Sequence, residues 1–141
     1  MSATARVLLV EDDRFFRRAC EASLRQRGFE VVTANDGEEG LHLAQTTPSP
    51  SLILLDLLMP KMAGIEVLRA LKSRPGTAAI PVVILSNSSR EDDRQQALQL
   101  GAAGYYVKAN LSLRELAVQV DGLVQAAQAV QHPDERQTPD G

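Results

Sequence analysis

Five short apolar runs, each followed by a segment of helical periodicity, leave this sequence few folds to choose from. The first, Val7-Leu8-Leu9-Val10, lacks alternation and stops abruptly at Glu11-Asp12-Asp13, which marks a strand buried on both faces. From Arg14 to Arg27, Phe16, Cys20 and Leu24 recur every fourth residue, and Gly28 stops the helix. Glu30 to Ala34 reads as the second strand. Asn35-Asp36-Gly37-Glu38 then supplies a cap and early acids for a helix to Thr46, ended by Thr47-Pro48-Ser49-Pro50. Leu52-Ile53-Leu54-Leu55, the most apolar run, ends in Asp56 and should be the central strand; Pro60 and Gly64 frame a loop before a helix carrying Ile65, Leu68 and Leu71. The fourth strand spans Pro81 to Leu85. Ser88-Ser89-Arg90-Glu91 has the form of a capping box opening a helix that is apolar only late, at Ala97, Leu98 and Leu100, so its first turns should be weakly held. Gly104 to Lys108 is the fifth strand. A second box, Ser112-Leu113-Arg114-Glu115, opens a helix that buries Leu116, Val120, Leu123, Val124 and Ala127. Such alternation calls for an α/β, doubly wound, five-stranded parallel sheet with helices on both faces.

A chain of 141 residues has room for about one domain. Residues 1–131 are expected to fold, and 132–141, with nothing to bury, to form a disordered C-terminal tail. Fifteen Lys+Arg against 18 Asp+Glu, without a basic run, argue against direct contact with nucleic acid. No apolar segment approaches the roughly 18 residues of a membrane span, and the single cysteine, Cys20, cannot form an internal disulfide. A cytoplasmic protein is expected, with Cys20 a small buried helix residue.

Ligands of open parallel sheets gather beyond the carboxyl ends of the strands, which here carry Glu11, Asp12, Asp56, Ser86 and Lys108. A flavodoxin-like strand order 2-1-3-4-5, adopted by analogy, makes strands one and three neighbours and brings three carboxylates together. Two like charges about 4 Å apart repel by roughly 1 kcal/mol in water and about 4 at an intermediate dielectric, so the cluster needs a cation. Oxygen donors without His or Cys suit Mg²⁺, with Mn²⁺ as a substitute. Asp12 or Asp13 could instead cap the first helix, and Asp13 is read as such a cap or an exposed acid. Asp56 has few structural uses at the end of so apolar a strand.

Over roughly residues 5–130 the sequence resembles the receiver domain of two-component response regulators. The resemblance rests on Leu8-Leu9-Val10-Glu11-Asp12-Asp13, Asp56-Leu57-Leu58-Met59-Pro60-Lys61-Met62-Ala63-Gly64, Ser86, Gly101-Ala102-Ala103-Gly104-Tyr105 and Lys108. Ser86-Asn87 and Lys108-Ala109-Asn110 are most similar to stand-alone, single-domain receivers. The resemblance implies that Asp56 is the phosphoacceptor and that Glu11, Asp12, Asp56 and the Leu58 backbone carbonyl hold Mg²⁺. It gives Lys108 the phosphoryl oxygens to pair with, Ser86 a hydrogen bond to one of them, and Tyr105 the part of aromatic switch. It also implies a signalling domain that promotes its own phosphorylation and slow dephosphorylation, not an enzyme. Its partners would be a sensor histidine kinase or histidine phosphotransfer protein, a downstream protein target and, as a further candidate, a second copy of the chain. On phosphorylation Ser86 would move inward and Tyr105 swing toward the core, remodelling the face of helix four, strand five and helix five.

Two positions depart from the family pattern. Ala109 stands where the family usually has a cis proline. A cis bond without proline costs roughly 2.5–4 kcal/mol, which leaves a trans loop with a shifted Lys108 or a retained cis bond. Asn87, after Ser86, is bulkier than usual. Phe15, one residue off the buried stripe, is either an exposed contact for a kinase or packs locally. Rival readings lack their signatures: a haloacid-dehalogenase-type hydrolase wants a second Asp where Leu58 stands, and Glu11-Asp12-Asp13 would repel the phosphate of a nucleotide or flavin. The remaining alternative is a pseudo-receiver that dimerises or docks without phosphorylation.

Overall fold

The computed structural model describes residues 4–46, 48–59 and 61–131. The expected tail, 132–141, lies outside the described residues, as do Thr47 and Pro60. The elements are β1 (Arg6–Val10), α1 (Arg14–Gln26), β2 (Glu30–Ala34), α2 (Gly37–Ala44), β3 (Leu52–Asp56), α3 (Gly64–Ser73), β4 (Val82–Ser86), α4 (Glu91–Gln99), β5 (Gly104–Val107), a short 3₁₀ turn (Lys108–Asn110) and α5 (Leu113–Gln131). All strand pairs are parallel, in the order β2-β1-β3-β4-β5, so the expected doubly wound sheet is present. The winding reverses between β1 and β3, which puts the ends of those two strands at the switch point.

Strand alternation divides one sheet into two cores. Val7, Leu9, Leu52, Leu54, Val83 and Leu85 face α1 and α5, where Cys20, Leu24, Leu116 and Val120 meet them. Leu8, Val10, Ile53, Leu55, Val82 and Ile84 face α2, α3 and α4. Every residue of β3 and β4 is buried, which explains why these runs carry no polar alternation. At about 1.5–3 kcal/mol for each fully buried large aliphatic side chain, these strands supply much of the hydrophobic stabilisation.

Helix ends follow local chemistry. Asp13 caps α1 by accepting from the Phe15 and Phe16 amides, and Gly28, at φ 101°, takes the left-handed conformation that ends it. Asp36 caps α2 through the Glu39 amide, and the Glu39 carboxylate returns to the Asn35 amide. Lys72 donates to the Ala78 and Ile80 carbonyls, tying α3 to the segment before β4; burial lowers its pKa. Ser112 accepts from the Glu115 amide before α5, as its capping-box pattern predicts.

Several expectations require correction. The Ser88–Glu91 box does not cap α4: the N-cap is Arg90, with no side-chain bond, and the Ser88 hydroxyl bonds within the preceding loop and to Asp93. The fifth strand ends at Val107, because Lys108 begins the 3₁₀ turn. Helix two stops at Ala44, the fourth strand begins at Val82, and Leu123 and Ala127 are only partly buried, while Ala117 is buried. Ala97 is the only buried residue of α4, so its first turns bury nothing, in line with a sequence that turns apolar only late. Among the described residues, no helix is long and apolar enough to cross a membrane.

Candidate functional site

Chain direction in a parallel sheet places Glu11, Asp56, Ser86 and Lys108 on one edge. Glu11 and Asp12 directly follow β1, Asp56 ends β3, Ser86 ends β4, and Lys108 follows β5. Glu11, Ser86 and Asp56 are buried, at 0%, 0% and 4% exposure, whereas Asp12 is exposed. Ligand oxygens of Glu11, Asp12 and Asp56 lie within 4.8 Å of one another. The structure therefore brings together the three acids that the sequence singles out.

Charge balance in this cluster depends on one ammonium. Lys108 Nζ lies 2.8 Å from Glu11 Oε1 and 3.4 Å from Asp56 Oδ2, with its side chain 11% exposed. Its Nζ also sits 4.7 Å from the centre of the Phe16 ring. Ala109 thus does not prevent this lysine from reaching both acids. Glu11 Oε2 accepts from the Asp13 amide, but Oε1, although close to the ammonium, has no well-directed hydrogen bond. A buried carboxylate oxygen left in that state, beside two other carboxylates, is suited to a hard divalent cation. Burial first, and then the charge of Glu11, push Asp56 up to about 7 despite Lys108 and the Leu58 amide, which lies 3.3 Å from its Oδ1. Burial also pulls Lys108 down, but the adjacent Glu11 and Asp56 outweigh it and leave its pKa raised. Cys20 is buried in the core, where burial, reinforced by the Glu11 charge, pushes its thiol up to about 12; an unreactive core thiol is the result.

Ser86 Oγ accepts from the Ser88 amide at 2.9 Å. Contrary to the expected swing toward the core on phosphorylation, Tyr105 already lies inside, 7% exposed, with its hydroxyl donating to the Ser88 carbonyl at 2.9 Å. Its neighbour Tyr106 packs partly on the opposite core. Asn87 is exposed, and Phe15 is 84% exposed, so the local-packing alternative for Phe15 does not hold. Sequence reasoning missed two contributors. Arg17 donates to the Glu11 carbonyl at 2.9 Å and so braces the acidic turn, and Ser88 gathers bonds at both backbone groups and its hydroxyl. Arg17 carries a hint in its place off the apolar stripe, one turn after the acids; Ser88 carries none beyond a misleading cap pattern.

The loop after Asp56 leaves no room for a side chain at Gly64. Its amide donates to the Leu57 carbonyl at 2.8 Å, and a Cβ would lie 2.6 Å from Leu57 Cα and closer still to the Asp56 carbonyl oxygen. Both obstacles are backbone, so Gly64→Ala must displace the segment that carries Asp56. We expect a loss of about 1–3 kcal/mol in urea unfolding, together with weaker Mg²⁺ binding. An unchanged midpoint would mean that the loop yields freely.

A family model described as response regulator receiver domain matches residues 7–121. The gliding motility regulatory protein of Myxococcus xanthus is 41% identical over 118 residues, covering 84% of this chain and 15% of that protein. The transcriptional regulatory protein PrrA of Mycobacterium tuberculosis is 42% identical over 119 residues, covering 84% and 49%. The chain thus spans about half or less of the length of these curated relatives. Among solved structures, Vibrio cholerae chemotaxis protein CheY4 is similar at a TM-score of 0.78 and 30% identity, covering 86% of this chain and 99% of that one. The phosphorylated cyanobacterial phytochrome response regulator RcpA gives 0.75 and 36%, covering 91% and 96%.

Proposed function

The chain belongs to the response regulator receiver domain family, and from that premise we propose that it accepts a phosphoryl group on Asp56 in a Mg²⁺-dependent reaction and signals by protein–protein contact. The observation that carries the proposal is the buried Asp56 carboxylate clustered with Glu11 and Asp12 and within ion-pair distance of the Lys108 ammonium. Residues 1–131 are taken as the receiver unit.

Glu11, Asp12, Asp56 and the Leu58 backbone carbonyl would hold the metal, with Mn²⁺ as a substitute. When bound, Mg²⁺ supplies positive charge to the carboxylates and to the incoming phosphoryl oxygens. One Asp56 carboxylate oxygen attacks the phosphorus of a phosphohistidine on a sensor kinase or phosphotransfer protein. The P–N bond breaks, and the electron pair leaves with the imidazole, which is then protonated. Lys108 neutralises charge on the transferred group, and Ser86, whose oxygen already accepts from the Ser88 amide, keeps its proton free to donate to a phosphoryl oxygen. Water later cleaves the acyl phosphate, restoring Asp56 and releasing phosphate. Phe15, exposed near the acids, offers the phosphodonor an apolar contact. Tyr105 is the switch residue in this reading, and a downstream protein reads the face formed by α4, β5 and α5.

Incubation with acetyl phosphate and Mg²⁺, followed by intact-mass measurement, tests this. The wild type is expected to gain one phosphoryl group, and Asp56→Ala, or the wild type with a chelator, none. Absence of any gain on the wild type would return the reading to a docking module that works without phosphorylation.

A further inference from the structure

Ser88 stands between the phosphoacceptor site and α4, and each of its polar groups is engaged. Its amide donates to Ser86 Oγ and its carbonyl accepts from the Tyr105 hydroxyl, both at 2.9 Å. Its own hydroxyl donates to Asp93 Oδ2 in the first turn of α4 and accepts from the Arg90 amide at 3.2 Å. The helix it reaches has little else to orient it. Ala97 is its only buried residue, Arg90 gives it no side-chain cap, and Leu98 is 39% exposed. A charge-assisted bond to a partly buried aspartate is then a large share of what fixes the first turns.

We infer that Ser88 is a positioning residue that couples the Ser86 hydroxyl to the start of α4 through Asp93, an inference that rests on the phosphoacceptor reading above. When Ser86 shifts to donate to a phosphoryl oxygen, the Ser88 amide bonded to it follows. The Ser88 hydroxyl carries that displacement to Asp93 and so to the helix. Tyr105 donates to the Ser88 carbonyl, so the same residue joins the aromatic side chain to the helix. The coupling uses one serine hydroxyl and one carboxylate, which makes it separable from the phosphoacceptor chemistry.

Hydrogen exchange of the α4 amides, measured on the full chain with and without Mg²⁺ and beryllofluoride, tests the inference. Without ligand, Ser88→Ala should speed exchange in the first turns of α4 about tenfold, Asp93→Ala should do the same, and the double variant should be no faster than either single one. Ser88→Thr, which keeps the hydroxyl, should restore wild-type exchange. With Mg²⁺ and beryllofluoride, the wild-type helix should change its exchange and Ser88→Ala should respond much less, while both still bind the mimic, as read by the ¹⁹F resonance of the bound species. Unchanged exchange in unliganded Ser88→Ala, or additive effects of the two alanines, overturns the coupling. So does an equal response of wild type and Ser88→Ala. If the wild type does not bind beryllofluoride at all, the phosphoacceptor reading falls and the coupling with it, which distinguishes that failure from the others.

Discussion

Asp56→Asn will make the metal-free protein more stable at pH 8 while removing phosphoryl uptake altogether. Asp56 is raised from 3.8 to about 7 because burial and the Glu11 charge disfavour its ionised form. The folded chain thus holds a proton that the unfolded chain releases. The stability this proton contributes is complete below pH 3.8 and is lost as pH climbs through about 7. At pH 8 the ionised side chain therefore works against the fold. Asp56 titrates together with Glu11 and Lys108, and removing its charge is expected to add about 1–2 kcal/mol at pH 8. For a domain of this size, that raises the melting temperature by about 3–8 °C. Thermal melts in chelator should show a wild-type midpoint that falls between pH 5 and 8 and a variant that is flatter and higher at pH 8. A wild-type midpoint that rises over this range, or equal slopes for both proteins, would contradict the assignment.

That result would express a general feature of this site: the chemistry is assembled at the expense of the fold, and this is also why the sequence announces it. A carboxylate ending the buried run Leu52–Asp56 has no reason to be there as packing, so Asp56 stands out in the sequence. Glu11 and Asp12 stand out for the same reason, after a strand with no polar alternation. Runs without alternation need cover on both faces, so the layered parallel sheet follows as well, whereas the strand order, taken by analogy, is given by the structure alone. Other features are not determined by local pattern. The spacing of Phe16, Cys20 and Leu24 puts Phe16 on the buried stripe, but it does not tell that Phe15 stays 84% exposed or that Phe16 packs under the Lys108 ammonium. Lys108 sits in a 3₁₀ turn because the chain leaves β5 one residue earlier than its apolar run suggests. Ser88-Ser89-Arg90-Glu91 carries a capping pattern that the tertiary structure overrides, because the Ser88 hydroxyl finds a carboxylate at Asp93. A cap motif reports what the backbone would accept locally, and a charged partner brought in by folding can outbid it.

Lys108→Met should be the most damaging single change at this site. The ammonium is 11% exposed and lies within ion-pair distance of two carboxylates, one of them wholly buried. Removing one member of such a cluster leaves its partners' charge uncompensated, a loss of about 3–5 kcal/mol, whereas an exposed pair would lose about 1 or less. The loss should be largest in chelator at pH 8. At pH 5 Asp56, whose pKa is already about 7 with the lysine present, takes up a proton and relieves the repulsion, so the variant should recover part of its stability there. Added Mg²⁺ should restore part of it at pH 8 by mass action, since a cation bound only to the folded state stabilises it in proportion to the logarithm of its concentration over the dissociation constant. Combining Lys108→Met with Asp56→Asn should recover more stability than Asp56→Asn adds to the wild type, because the carboxylate is more harmful once its ammonium is gone. Urea unfolding at pH 5 and pH 8, in chelator and in Mg²⁺, measures all four quantities. A loss below about 1 kcal/mol under every condition would place Lys108 in solvent and leave the carboxylates to be balanced by the metal alone.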